Sequence, residues 1–218
     1  MTDRDATALV PTSFEAVDAV LRDVIAVWHE REDRIPDWDA CREVMPLTRP
    51  EGWARTTELL QLINTFQWHE EDKSRAHGAG DAVLGRVKRS IDASNRRRVQ
   101  TVDRLDDLIH SGLARAGHLD PAAPLHSESP GSIIDRLSVL ALKRHHVAEA
   151  RDELAGSEEA AAMQARLDTV SEQYADLGAC LERLLADVRQ GRVGLKFYRQ
   201  VKVYVDPDTG RLRADLDD

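Results

Sequence analysis

Glu158-Glu-Ala-Ala-Ala-Met-Gln-Ala-Arg-Leu-Asp-Thr-Val-Ser-Glu-Gln-Tyr-Ala-Asp-Leu-Gly-Ala-Cys-Leu-Glu-Arg-Leu-Leu-Ala-Asp-Val-Arg189 says more about the architecture than any other segment of the chain. Met163, Leu167, Val170, Tyr174, Leu177, Leu181, Leu184 and Val188 recur at alternating steps of four and three, which draws one apolar seam along a helix for more than three heptads. Gly156 and Ser157 precede this helix, and Gly191 and Gly194 close it. A seam of this kind fits one helix lying lengthwise on neighbours of its own bundle. The sharper alternative is a homodimer zipped through residues 163–188.

Working back along the chain, the same logic predicts four more long helices. Ser129-Pro130 has the form of a helix cap followed by proline at the first helical position, and opens a helix to about Leu154. Asp81 to about Gly112 is another, beginning after Gly78 and Gly80. Thr48 and Glu51 have capping-box spacing and start a helix that runs to about His77. Thr12 and Glu15 repeat that spacing ahead of Val17, Val20, Leu21, Val24, Ile25 and Trp28 on one side of a helix. A short helix fits around Cys41–Val44. Forward of the seam the period changes to two. Val201, Val203 and Val205 alternate, a turn sits at 206–210, and 211–214 can return, so a strand or small hairpin packed on the bundle is expected. The fold class is therefore mainly all-α, about five long helices with that C-terminal addition. Residues 1–10 read as a flexible arm, 11–190 as the bundle, and 191–218 as the hairpin and acidic tail of the same domain.

Composition agrees. Only 5% of the 218 residues are aromatic, so the core is aliphatic, and the formal net charge is -9, the wrong sign for tracking a phosphate backbone. No run nears the ~20 apolar residues of a membrane span. The N-terminus lacks the pattern of a signal peptide, so no membrane insertion and a cytoplasmic location are expected. Cys41 and Cys180 are too few and too far apart for a disulfide framework, and read as buried thiols.

The informative anomaly is polar residues on faces that ought to be buried. The stripe Leu59, Leu62, Phe66 continues into His69, Asp72 and Lys73. The stripe Leu84, Val87, Ile91 continues through Asn95 and Arg98 to Val102, Leu105 and Ile109, with Lys88 and Asp92 adjoining and Asp103 and Asp106 one turn apart. The helix Ile133–Val147 is apolar nearly all round, which makes Asp135, Arg136 and Lys143 hard to expose. Buried without partners, such groups cost several kcal/mol each. Either they meet a ligand, metal or one another, or these faces emerge into water as solvated ion pairs. Glu128 stands just before a helix N-terminus at 127–132, where free N–H groups either bind an anion or are capped by Ser129 or Ser132. On the strand, Lys196, Tyr198, Gln200 and Lys202 share one face.

Known site patterns are missing. His69-Glu-Glu-Asp-Lys73 has lysine where a zinc-protease helix needs a second histidine, and no Glu-x-x-His pair is present for a di-iron bundle. No Gly-rich phosphate loop, Gly-x-Ser-x-Gly or Cys-x-x-Cys occurs.

Four stretches together resemble the bacterial domain-of-unknown-function family 4254: Leu62-Ile-Asn-Thr-Phe-Gln-Trp-His-Glu-Glu-Asp-Lys-Ser-Arg75, Lys88-Arg-Ser-Ile-Asp-Ala-Ser-Asn95, Ser127-Glu-Ser-Pro-Gly-Ser-Ile-Ile-Asp-Arg-Leu-Ser138 and Lys196-Phe-Tyr-Arg-Gln-Val-Lys-Val-Tyr-Val-Asp-Pro207. The chain departs from the family pattern with Ser129 for threonine, His145-His146 for Tyr-His, and Val205 for asparagine. The resemblance implies that His69, Glu70, Asp72, Arg75, Lys88, Asp92, Asn95, Glu128, Asp135, Arg136, Lys196, Tyr198, Gln200 and Lys202 matter. It also implies an association with sugar-transfer and envelope-polysaccharide genes.

Two functions of different class fit. In one, the polar site binds a phosphorylated small molecule, a nucleotide or sugar phosphate, in a hydrolase or transferase. Asp92, Asp103, Asp106 and Asp135 then supply oxygen ligands for Mg2+ or Mn2+, and Glu70 and Asp72 are further candidates for the metal and, with His69, for catalysis. Arg75, Lys88, Arg98 and Arg136 hold phosphate, and His69 is the general base. In the other, the charges are a structural network in a non-catalytic accessory protein of a sugar-transfer or envelope-polysaccharide pathway.

Overall fold

The computed structural model describes residues 9–75, 80–198, 203–205 and 209–214. Among them six α-helices follow in chain order: α1 (Phe14–His29), α2 (Trp38–Val44), α3 (Trp53–Arg75), α4 (Asp81–Arg115), α5 (Pro130–Glu153) and α6 (Glu158–Arg189). A 3-10 turn at Glu32–Arg34 leads from α1 toward α2. The chain is mainly helical, as the seam and the aliphatic composition require.

Local chemistry sets the helix starts, twice differently from the capping-box reading. Ser13, not Thr12, caps α1, its hydroxyl accepting from the Ala16 N–H at 3.2 Å. All six residues of the expected α1 stripe are buried. Thr48 caps nothing. The buried carboxylate of Glu58 on α3 accepts the Thr48 N–H (3.0 Å), the Thr48 hydroxyl (2.9 Å) and the Arg49 N–H (3.0 Å). The chain instead turns at Gly52, whose φ of 122° suits glycine, and α3 begins at Trp53. At α5 the expectation holds: Ser129 accepts from the Ser132 N–H at 3.1 Å, with Pro130 in the first turn.

Two glycines admit close approach. Gly112, expected to end α4, lies inside it, because a Cβ there would stand 2.5 Å from Val10 and 2.9 Å from Leu9. Leu9 and Val10, at the edge of the expected arm, thus pack on α4, and Val10 is buried. A Cβ on Gly178 of α6 would collide at 2.5 Å with the Phe14 ring.

The helix α6 runs back along α5 after the turn at 154–157: Arg151 bonds Gln164 near the turn, and Arg144 lies over the Tyr174 ring further along. The seam is buried from Tyr174 through Leu177, Leu181 and Leu184 to Val188, while Met163, Leu167 and Val170 are half-buried. The main core joins α1, α3, α4, α5 and α6 through residues such as Leu21, Leu60, Leu105, Ile109, Leu137 and Leu181. A second core under the end of α1 gathers Trp28, Cys41, Met45, Leu62 and Phe66. Burial pushes the Cys41 thiol up to about 12, so it is an inert apolar group. Cys180, expected to be buried, is exposed.

The inward stripe of α4 is Val87, Ser94, Thr101, Leu105 and Ile109. Ser94 is fully buried and Asn95 is exposed, so the residue expected inside is one position off. The C-terminal addition as expected, a strand over Phe197–Asp206 forming a hairpin on the bundle, is not supported. Among the described residues, pairing there covers three residues on each side, β1 (Val203–Val205) and β2 (Leu212–Ala214), bonded to each other. Phe197 and Tyr198 are not in a strand. Among the described residues no helix is long and apolar enough to cross a membrane.

Candidate functional site

The polar face of α3 meets α4 and α5 at Asp135. Its carboxylate takes a bidentate pair from Arg98, Nε to Oδ1 at 2.8 Å and Nη2 to Oδ2 at 2.7 Å. Asn64 Nδ2 donates to Asp135 Oδ1 at 3.0 Å and to the Ser138 hydroxyl at 2.8 Å. Three helices are thus tied by one charge-assisted network, in the fork geometry that makes such pairs strong. The bond to Asp135 holds the Arg98 guanidinium above its usual range, with burial opposing. The Asp135 side chain is only 14% exposed, so this is the ion pair between helices that an inward Asp135 required.

Behind Arg98 a cleft of about 640 Å3 opens between α5 and α6, lined among others by Arg136, Lys143, Gln173, Asp176 and Cys180. Arg136 reaches Glu128 at 2.7 Å. Lys143 has no carboxylate partner among the described residues.

The remaining expected residues divide into three groups. Glu70 is buried and takes Lys73 at 2.6 Å, Asp72 takes Arg75 at 2.8 Å, and Asp92 takes Lys88. These are pairs within one helix, three or four residues apart, and do not converge with Asp135. Asp103 and Asp106 line a separate cleft of about 300 Å3 with Asp107, Glu128, Lys196 and Tyr198. There the buried Asp106 carboxylate accepts the Gly131 N–H at 2.6 Å, and burial pushes it up to about 6. A Cβ on Gly131 would stand 2.7 Å from that carboxylate, so glycine is what lets it reach the start of α5. The helix N-terminus is therefore closed from within, by Ser129 and Asp106. Lys196 lies over the exposed Tyr198 ring at 5.1 Å, while Gln200 and Lys202 lie outside the described residues. Asp92, Asp103, Asp106 and Asp135 do not form one ligand set among the described residues; the groups close enough to share an ion contain histidine.

That finding points to residues no sequence motif singles out. Around His69 stand His29 at the end of α1 and His145 and His146 on α5. Ring centroids lie 5.5 Å from His69 to His29, 5.5 Å from His69 to His146 and 4.1 Å from His29 to His145. Trp28 stacks on His69 and Trp68 on His146. One nitrogen each from His29, His69 and His146 lies within 4.8 Å of the others, as do donor atoms of His29, His145 and Glu149. Burial, then the neighbouring imidazoles His146 and His29, lower His69 to about 4; burial and His29 also lower His145 and His146. The available signal was Trp-His at 28–29 and again at 68–69. Pattern reading gives no reason to bring them together, because His29 sits at the exit of a helix 40 positions earlier in the chain.

Among curated proteins and among solved structures nothing matches this chain. The model of one family, described as "Protein of unknown function (DUF4254)", matches residues 54–197. That span contains the Asn64–Arg98–Asp135 network, both clefts in large part, and three of the four clustered histidines; the chain belongs to the DUF4254 family.

Proposed function

We propose that this helical protein binds a phosphorylated small molecule, a nucleotide or sugar phosphate, in the cleft between α5 and α6. The observation that carries the reading is three cations, Arg98, Arg136 and Lys143, gathered in one cleft of a chain whose net charge is -9. Asp135 fixes the Arg98 fork, so little freedom remains to be lost on binding. Lys143 brings a positive charge that no carboxylate among the described residues pairs, although Asp176 lines the same cleft. At about 640 Å3 the cleft is within the size range of small-molecule sites, and Val139, Leu140 and Leu177 supply an apolar wall. A hydrolase or transferase acting on such a ligand is the catalytic form of this reading.

The accessory-protein reading has its own support. Arg98 and Arg136 already hold Asp135 and Glu128, as they would in a purely structural network. A thermal-shift panel of nucleoside mono- and diphosphates, nucleotide sugars and hexose phosphates separates the two. A ligand that raises Tm, and does so at least fivefold less potently in Lys143→Ala, supports binding in the cleft. A flat panel, or a shift that Lys143→Ala leaves intact, rejects it and favours the accessory role.

A further inference from the structure

We propose that His29, His69 and His146 form a binding site for a divalent transition-metal ion of the zinc type, held in place by Glu149. The inference is independent of the phosphate cleft.

Four aromatic rings in contact could be packing and nothing more. Their nitrogens argue otherwise. The Nε2 atoms of His29, His69 and His146 are all buried and make no hydrogen bond among the described residues. A buried polar atom left unpaired costs about 1–3 kcal/mol, and a packing cluster would do better with phenylalanine or leucine. Three such atoms at one place are a donor set. The Nε2 of the fourth ring, His145, is likewise buried without a hydrogen bond, and it lies 3.2 Å from the Glu149 carboxylate, in a second group with His29.

The protonation pattern suits a metal. His29 Nδ1 lies 2.8 Å from the Ile25 carbonyl, which can only accept, so Nδ1 carries the proton and Nε2 keeps its lone pair. His146 Nδ1 lies 3.0 Å from a Glu149 carboxylate oxygen, which imposes the same tautomer. A carbonyl or carboxylate behind the imidazole is the arrangement that orients metal-ligating histidines. The charged groups facing His69 and His146 are Glu32, 4.0 Å from His69 Nε2, Asp72 and Lys73 on α3, and Glu149 on α5.

Imidazole donors select zinc and its neighbours rather than Mg2+ or Mn2+, which want oxygen. Zinc–nitrogen bonds of about 2.0–2.1 Å put tetrahedral ligands ~3.3 Å apart. One nitrogen of each ring lies within 4.8 Å of the others, so ligation requires them to draw together by up to about 1.5 Å. Three imidazoles leave a fourth position for water or a substrate atom; the donor nitrogens themselves are buried, while the His69 and His146 side chains are 24% and 23% exposed. The ion would clip α1, α3 and α5 together.

The test uses the full chain without a histidine tag, freed of metal by chelator and titrated with Zn2+ and Co2+. The expected result is one equivalent bound, a visible Co2+ spectrum of nitrogen ligation, and a raised Tm with Zn2+ but not Mg2+. His29→Asn and His146→Asn, which keep a donor for Ile25 and Glu149, should each weaken Zn2+ binding at least tenfold. Glu149→Gln should weaken it less, and the surface change His126→Asn not at all. Should a histidine variant fail to fold, the wild-type Co2+ spectrum and X-ray absorption at the zinc edge still decide. Absence of stoichiometric binding, an oxygen-only shell, or equal affinity in folded His29→Asn and His126→Asn overturns the proposal.

Discussion

Helical periodicity turns both Asp135 and Asn95 inward, and only Asp135 is found there. Asp135 lies on the inward side of α5, where an arginine from α4 meets it, whereas Arg136 and Lys143 on the same helix, expected to be hard to expose, lie on its outer side and are exposed. Asn95 lies on a helix with one buried stripe, where an error of one position turns a residue by about 100° and puts it in water. Breaking the Asp135 pair is the sharpest test at this scale. Asp135→Ala strands Arg98 and removes the acceptor of Asn64. Breaking a buried pair costs about 3–5 kcal/mol; Arg98 keeps 30% exposure, so a loss of about 2 kcal/mol in urea unfolding is expected. A change under about 0.5 kcal/mol would mean that solvent takes over the guanidinium freely.

Among the elements, α6 shows how far a periodic seam carries. Its buried half, Tyr174–Val188, packs on its own bundle; the half-buried Met163, Leu167 and Val170 continue the same spacing. Period alone says that a face is apolar, and the partner is chosen by what lies beside it. Gly178 belongs to this choice, since it admits the Phe14 ring, which stands edge-on to Tyr174 at 5.2 Å between centroids. Tyr174 in turn donates its hydroxyl to Asp18 on α1 at 2.7 Å. Gly178→Ala should push Phe14 off and cost about 1–3 kcal/mol despite alanine's better helix propensity. A Gly178→Ala protein as stable as wild type in the same unfolding measurement would show that α1 rides loosely on α6.

For the molecule as a whole, two opposing titrations shape stability against pH. His69 has its folded value near 4 against 6.5 for the free side chain. Between those values the unfolded chain takes up a proton that the folded one refuses, so stability falls as pH drops from about 6.5 toward 4. His145 and His146 act in the same direction. Asp106 acts against them, with its folded value near 6 and its free value 3.8: its contribution is complete below 3.8 and is lost as pH rises through 6. Metal-free His69→Asn should therefore show a flatter fall in Tm between pH 6.5 and 4. Asp106→Asn should gain on wild type as pH rises from about 4 to 6 and hold that gain above, because asparagine still accepts the Gly131 N–H. A parallel pair of Tm curves for either variant would remove that residue from the account.

Whatever is governed by neighbours along the chain could be read from the residues alone: helix periods, the Ser129-Pro130 start of α5, and the aliphatic core. That polar groups interrupt buried faces was legible too, because an interruption is visible in one dimension. Which interruptions meet was not. His29, His69 and His146 are far apart in sequence, and the packing of α1, α3 and α5 is what brings their rings together. Of the carboxylates expected to share an ion, Asp92, Asp135 and Asp106 are instead taken singly, by Lys88, Arg98 and the start of α5. A charged side chain settles with the nearest opposite charge or free N–H, and which one is nearest depends on how the helices pack in three dimensions.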